Sequence, residues 1–191
     1  MFSINGLTQD EQDTLDQTCA EVFDYWRQCA NKVGGIPRLI DIDLMDLWPH
    51  ASRMCILDVD RVSVPGEVRF RWRFAGTLMR ELVGFELTGR YLDEIFEDAE
   101  EVISVHKRIA SSGNLHYWRR SIQNTIANWA PTPYERLSMP LRDRDGDVGH
   151  ILSIVIWPHD RASFTPDLNS RAGFDFPAEH DGVLVSAHHE G

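Results

Sequence analysis

His106 is the residue in this chain with the most chemistry to offer. It sits among Ala99, Val102, Ile103, Ile109 and Ala110, which recur at helical spacing and form one apolar face. An imidazole turned into such an interior can be a ligand to a bound group, a pH-sensitive polar anchor or a general base. Its plainer reading is a core histidine satisfied by a neighbouring backbone or side-chain group. A second group is His116-Tyr117-Trp118-Arg119-Arg120 on one strand. Aromatic rings beside guanidinium groups stack on a ligand ring, or they pack a sheet while the arginines reach out to water. A third is the stripe Arg69, Arg71 and Arg73. It suits an acidic partner or an anionic ligand, or else a solvated sheet face paired with acids such as Glu21 and Asp24.

The remaining clusters carry less. Cys19, Cys29 and Cys55 are odd in number and form no C-x-x-C pair, so they read as small buried hydrophobes and not as a zinc or disulfide scaffold. His180, His188 and His189 lack an ordered frame, and no metal site is assigned to them. Glu97, Asp98, Glu100 and Glu101 crowd the start of a helix, where the dipole favours carboxylates without any catalysis. No nucleophile elbow, zinc-protease, P-loop or dinucleotide-binding motif occurs, and no residue is assigned a catalytic role.

Charge narrows the partners. A formal net charge of −11 over 191 residues argues against nucleic acid and against an anionic membrane surface, both of which need a basic footprint. No apolar run approaches the ~20 residues of a membrane helix. The opening MFSINGLTQDEQ has neither a basic nor an apolar leader segment, so a cytoplasmic protein is expected.

These residues need elements to position them. Thr8-Gln9-Asp10-Glu11 is a capping box that starts an amphipathic helix with Leu15, Cys19, Val22, Phe23, Trp26 and Ala30 on one face, ending before Gly34-Gly35. Asp41 to Pro49 reads as one short amphipathic turn, and Met54 to Val59 as a first strand. Val68 to Phe74 alternates strictly, which predicts a second strand with Val68, Phe70, Trp72 and Phe74 inward and the arginines outward. A short helix follows at 77–83 and a short turn at 92–96, then a longer helix from Glu97 to about Ala110 that carries His106. Strands at 115–122, 134–141 and 148–157 complete the set, the last two joined by a turn containing Asp145-Gly146. Ile151 to Trp157 is nearly continuous in apolar residues, which places it at the centre of a sheet covered on both faces. The order predicts an α+β fold: a five-stranded antiparallel sheet, helices inserted between strands two and three, and an N-terminal amphipathic helix over the outer face. The expected division is a flanking helix over 1–34, a domain over 35–158 and a disordered tail over 159–191, where large apolar residues are few.

Four motifs in order carry a resemblance. They are Tyr25-Trp26-Arg27 with Gly35-Ile36-Pro37 and Asp41-Ile42-Asp43; Cys55-Ile56-Leu57-Asp58-Val59; Phe74-Ala75-Gly76-Thr77 with Gly84 and Leu87-Thr88-Gly89; and Tyr134 to Leu141 with Asp145-Gly146. Together, over about residues 25–157, they resemble the PAS domain, in particular a PAS-like family common in alphaproteobacteria. One departure is Leu44 after Asp43, where proline is expected. The resemblance implies a cytoplasmic, non-enzymatic sensory or regulatory module of signal transduction that binds a small ligand in its cup, docks a partner protein, or both. It makes His106, Phe74, Trp72, Met79, Ile103, Trp118 and Met139 candidates for lining the cup. Haem held by His106 is one cofactor the resemblance allows. A flavin adduct needs a reactive cysteine on the helices, and Cys55 falls in a strand instead. Leu15, Val22, Phe23 and Trp26 become candidates for a homodimer interface, because flanking helices of such domains commonly pair. Two alternatives stand beside this reading. One is a small α+β cone enzyme of dehydratase or isomerase type with His106 as general base. The other is an adaptor whose cup is filled by its own aromatic side chains.

Overall fold

A computed structural model describes residues 16–61, 67–95, 100–124 and 132–156, together with the short stretches 174–175 and 183–185. Helix α1 spans Gln17–Val33. The Asp16 side chain accepts from the Thr18 N–H at its start, and Gly34 closes its end in the left-handed conformation, φ 70°, with its N–H on the Ala30 carbonyl. Two 3-10 segments, Leu39–Asp41 of one turn and Trp48–Arg53 of two, lead into strand β1, Met54–Arg61. Strand β2 is Val68–Ala75. Helices α2, Thr77–Val83, α3, Leu92–Ile95, and α4, Glu100–Ser112, come next. Strands β3, Leu115–Asn124, β4, Thr132–Arg142, and β5, Val148–Ile156, follow. The predicted capping box at Thr8–Glu11 lies outside the described residues.

The principal sheet is antiparallel, in the order β2-β1-β5-β4-β3. The strand read as continuous in apolar residues, β5, is central, flanked by β1 and β4. Two short strands from the C-terminal region, β6, Phe174–Asp175, and β7, Val183–Val185, pair with β3. The rest of the expected tail lies outside the described residues.

Each face of the sheet has its own core. Helices α2, α3 and α4 cover one face, the cup, where Leu57, Phe70, Trp72, Leu87, Ile109 and Ile151 are buried. Helix α1 covers the other, packing Val22, Phe23 and Trp26 against Ile56, Leu137, Met139, Leu141, Leu152 and Ile154. The Trp26 indole N–H donates to the Pro140 carbonyl at 3.0 Å, so this amphipathic face is spent on the chain's own sheet. Burying Phe23 and Trp26 this way is worth roughly 1.5–3 kcal/mol each.

The strict alternation of β2 breaks at one place. The register with β1 slips between Ile56 and Leu57, so that Ile56 faces Phe74 while Leu57 faces Trp72. The inserted residue, Arg73, forms a β-bulge. Because side chains alternate with period two, one extra residue turns everything beyond it to the opposite face. Phe74, expected inward with Phe70 and Trp72, therefore packs on the α1 side.

Candidate functional site

Pairing sets His116, Ser138, Ser153 and Cys55 side by side in one row across four strands. The row lies on the cup face, and all four side chains are buried. Ser138 and Ser153 share a hydroxyl–hydroxyl bond of 2.8 Å. The Ser153 hydroxyl also bonds the Cys55 thiol. Arg136, two residues before Ser138 on β4, is buried on the same face, close enough to Cys55 and His106 to perturb both. His106 descends on this row from α4 at 2% exposure, with Phe70 tilted against it at 5.4 Å between ring centroids. Its Nδ1 is 2.6 Å from the Val102 carbonyl. A carbonyl only accepts, so the ring proton sits on Nδ1 and Nε2 keeps its lone pair. Burial pushes the imidazole down to about 3, helped by the Arg136 charge and by His116, so it is neutral at physiological pH. Burial likewise pushes the Cys55 thiol up to about 11, far from a reactive thiolate.

Among the described residues, the buried side chains of the cup core and of the polar row are each at most 7% exposed, and Met79, Phe85, Val102 and Ile103 around them are partly buried. Cys55, the described cysteine on the cup face, stands in β1 with a protonated, hydrogen-bonded thiol, which does not suit adduct chemistry.

On the opposite face, beyond the reach of α1, lies a charged cluster centred on Asp58. Its carboxylate, 4% exposed, accepts from Arg73 Nε at 2.5 Å, lies 3.0 Å from Arg71 Nη2 and is 2.8 Å from His150 Nδ1. Asp60 accepts from Arg71 and from the Tyr91 hydroxyl. Arg69 forks onto Asp93 and Glu94 while its guanidinium lies 3.7 Å over the Tyr91 ring. The arginine stripe is thus neutralised by β1 and α3. The acids expected to pair with it do otherwise: Asp24 bonds Arg27, and Glu21 lies 3.1 Å from His50 Nε2. The reason is distance along the sheet, since α1 covers the β3–β5 half and the stripe lies on the edge strand β2.

A third feature is an apolar platform. Every exposed large hydrophobic side chain among the described residues falls between residues 33 and 48: Val33, Ile40 at 83% exposure, Leu44, Met45 at 73% and Trp48 at 68%. The platform is held rigidly. Ile42 and Leu47 plug into the α1 core beneath it. The Tyr25 hydroxyl bonds both the N–H and the carbonyl of Asp43, at 2.9 and 3.3 Å. Burial and the adjacent Asp46 carboxylate raise that hydroxyl to about 12. Successive i→i+3 backbone bonds, Trp48 N–H to the Met45 carbonyl among them, set Met45 and Trp48 one above the other. Beside it, a groove of about 400 Å³ opens between Val33–Ile36 and the β4–β5 turn.

A PAS domain family model matches residues 15–156, from the start of α1 to the end of β5. The chain belongs to the PAS domain family. No curated protein matches it. Twenty-four chains of solved structures do. One is a fungal LOV domain photoreceptor linking blue light and oxidative stress, at 13% identity and TM-score 0.36, covering 62% of this chain and 93% of that one. Another is a LOV domain whose mechanism was probed with a flavin analogue, at 17% identity and TM-score 0.35, covering 62% and 87%. A third is the LOV domain of the blue-light photoreceptor Aureochrome1 in its light state, at 14% identity and TM-score 0.32, covering 61% and 89%.

Within this PAS domain the expected cup residues divide. His106 and Trp72 are buried in the cup, with Met79 and Ile103 partly buried beside them. Phe74 and Met139 belong to the α1 side instead, Phe74 because of the bulge and Met139 because odd positions of β4 point away from the cup. The Trp118 side chain lies outside the described residues, as does Leu15. Val22, Phe23 and Trp26 are buried against their own sheet. Sequence reading missed Arg136, Ser138 and Ser153, whose grouping exists only through cross-strand register. It also missed the platform, although four large apolar residues exposed within nine positions, Ile40 to Trp48, exceed what a short turn can bury.

Proposed function

We propose that this PAS domain is a non-catalytic signalling module of the cytoplasm that docks a partner protein through the platform of residues 33–48. One observation carries the reading: the exposed large apolar surface of the described residues is gathered in that one segment. Contiguous exposed apolar surface on a soluble domain marks an interaction site. The enzyme alternative loses support from His106, because a base titrating at about 3 abstracts few protons at neutral pH. The test is a photo-crosslinking amino acid placed at Met45, with Glu100 as a control position. Adducts to one partner protein from position 45 and none from position 100 support the reading, and equal labelling from both sinks it.

A small-ligand reading has its own support in the buried row His116, Ser138, Ser153 and Cys55 with Arg136 beside it. A polar floor of this kind suits a small polar ligand admitted when α4 moves aside. Native mass spectrometry with absorbance of the purified protein tests this, and the same spectrum reports whether two copies pair. A homodimer would use a surface other than the α1 face named above.

A further inference from the structure

Resting on the docking reading, we infer that the platform's occupant is a basic amphipathic segment of another protein, with apolar residues on one side and lysine or arginine beside them. Three observations converge. The exposed apolar side chains Ile40, Leu44, Met45 and Trp48 are interleaved with Asp41, Asp43 and Asp46. Of these acids, Asp41 is held by Arg38, through its backbone N–H and its guanidinium, while Asp43 and Asp46 are exposed at the platform. Tyr25 bonds the Asp43 backbone and the Asp46 side chain, and the Asp43 carboxylate accepts from the Met45 N–H. The platform therefore offers a greasy strip with two carboxylates, and its complement is greasy and cationic.

The same charges argue against a second copy of this chain. A twofold contact of the platform with itself would bring the Asp43 and Asp46 carboxylates of both copies into one interface, on molecules that each carry a formal net charge of −11. Like charges brought together across an interface weaken it. Rigidity adds to the case. Ile42 and Leu47 are anchored in the core, and the Asp43 side chain accepts from the Met45 N–H, so docking need not order the segment first.

The experiment uses the full chain and a fluorescein-labelled 14-residue Leu/Lys peptide with leucine at i, i+3, i+4 and i+7, read by anisotropy. The controls are the same peptide with glutamate for lysine and a Leu/Lys peptide scrambled to lose its apolar face. The amphipathic basic peptide is expected to bind and both controls to bind at least about fivefold more weakly. Met45→Ala with Trp48→Ala should weaken binding by about fivefold or more, the scale of losing an aromatic anchor. Asp43→Asn with Asp46→Asn should weaken it by about two- to fivefold and flatten its salt dependence. Glu67→Gln with Glu100→Gln, two exposed acids just before β2 and at the start of α4, should change nothing. Should Met45→Ala with Trp48→Ala lower the melting temperature, Ile40→Ser, at the most exposed position, replaces it. Equal binding by the platform variants and the wild type would mean the peptide reads net charge alone, and would overturn the proposal. A wild-type dimer that Trp48→Ala converts to monomer would overturn the basic partner in favour of a second copy while leaving docking intact. Strong binding of the acidic peptide would overturn the charge argument.

Discussion

Acid should destabilise this protein through His106 well before its carboxylates titrate. The imidazole titrates at about 3 in the folded chain against 6.5 as its ordinary value. The folded state therefore binds fewer protons than the unfolded state between those limits, and stability falls as pH drops through that window. Above pH 6.5 the contribution is complete. At pH 5, one and a half units lower, the loss is about 2 kcal/mol at about 1.4 kcal/mol per unit. That is a large part of the ~5–15 kcal/mol of a typical domain. The perturbation is His106→Leu. Leucine fills a similar volume, and the Val102 carbonyl keeps the helical bond from the residue-106 N–H. At pH 7 the variant should lie within about 1 kcal/mol of the wild type or exceed it. Urea unfolding of both proteins at pH 7 and pH 5 gives four free energies, and their double difference cancels every other titrating group. The variant should lose about 2 kcal/mol less than the wild type over that interval. Parallel losses would refute the reasoning, because they would mean that His106 accepts a proton inside the cup without penalty.

Other outcomes follow from single contacts. Phe23→Ala with Trp26→Ala removes two buried aromatics at about 3–5 kcal/mol each and the bond to the Pro140 carbonyl, so circular dichroism should show loss of cooperative unfolding. Gly76→Ala drives a methyl group into the backbone carbonyls of Ala51 and Ser52 and should cost about 3 kcal/mol, whereas Gly35→Ala meets nothing within 4 Å and should leave stability unchanged or raise it by about 0.5 kcal/mol in thermal unfolding. Asp58→Asn leaves Arg71, Arg73 and His150 around a neutral side chain and should cost about 2 kcal/mol by denaturant titration, and a change under about 0.3 kcal/mol would show the cluster to be screened by water.

Much of this protein was determined by local sequence. The period of β2, the continuous apolar run of β5, the Asp145-Gly146 turn and the apolar stripe of α1 each depend on residues a few positions apart, so the elements and their α+β order are legible without coordinates. The interior placement of His106 is legible for the same reason, since a helical face is a local property. Three things are not local. The bulge at Arg73 arises where β2 must match β1, and it alone sends Phe74 to the other core. The row of His116, Ser138, Ser153 and Cys55 joins residues from four strands, and only the pairing register puts them together. Whether an apolar residue is covered depends on what packs over it. Trp26 and Trp48 both fall in amphipathic stretches, but α1 lays Trp26 against its own sheet, while Trp48 stays 68% exposed and Ile42 and Leu47 of the same stretch take the places in that core. Burial is decided by the whole chain competing for one limited interior, and no window of sequence contains that competition.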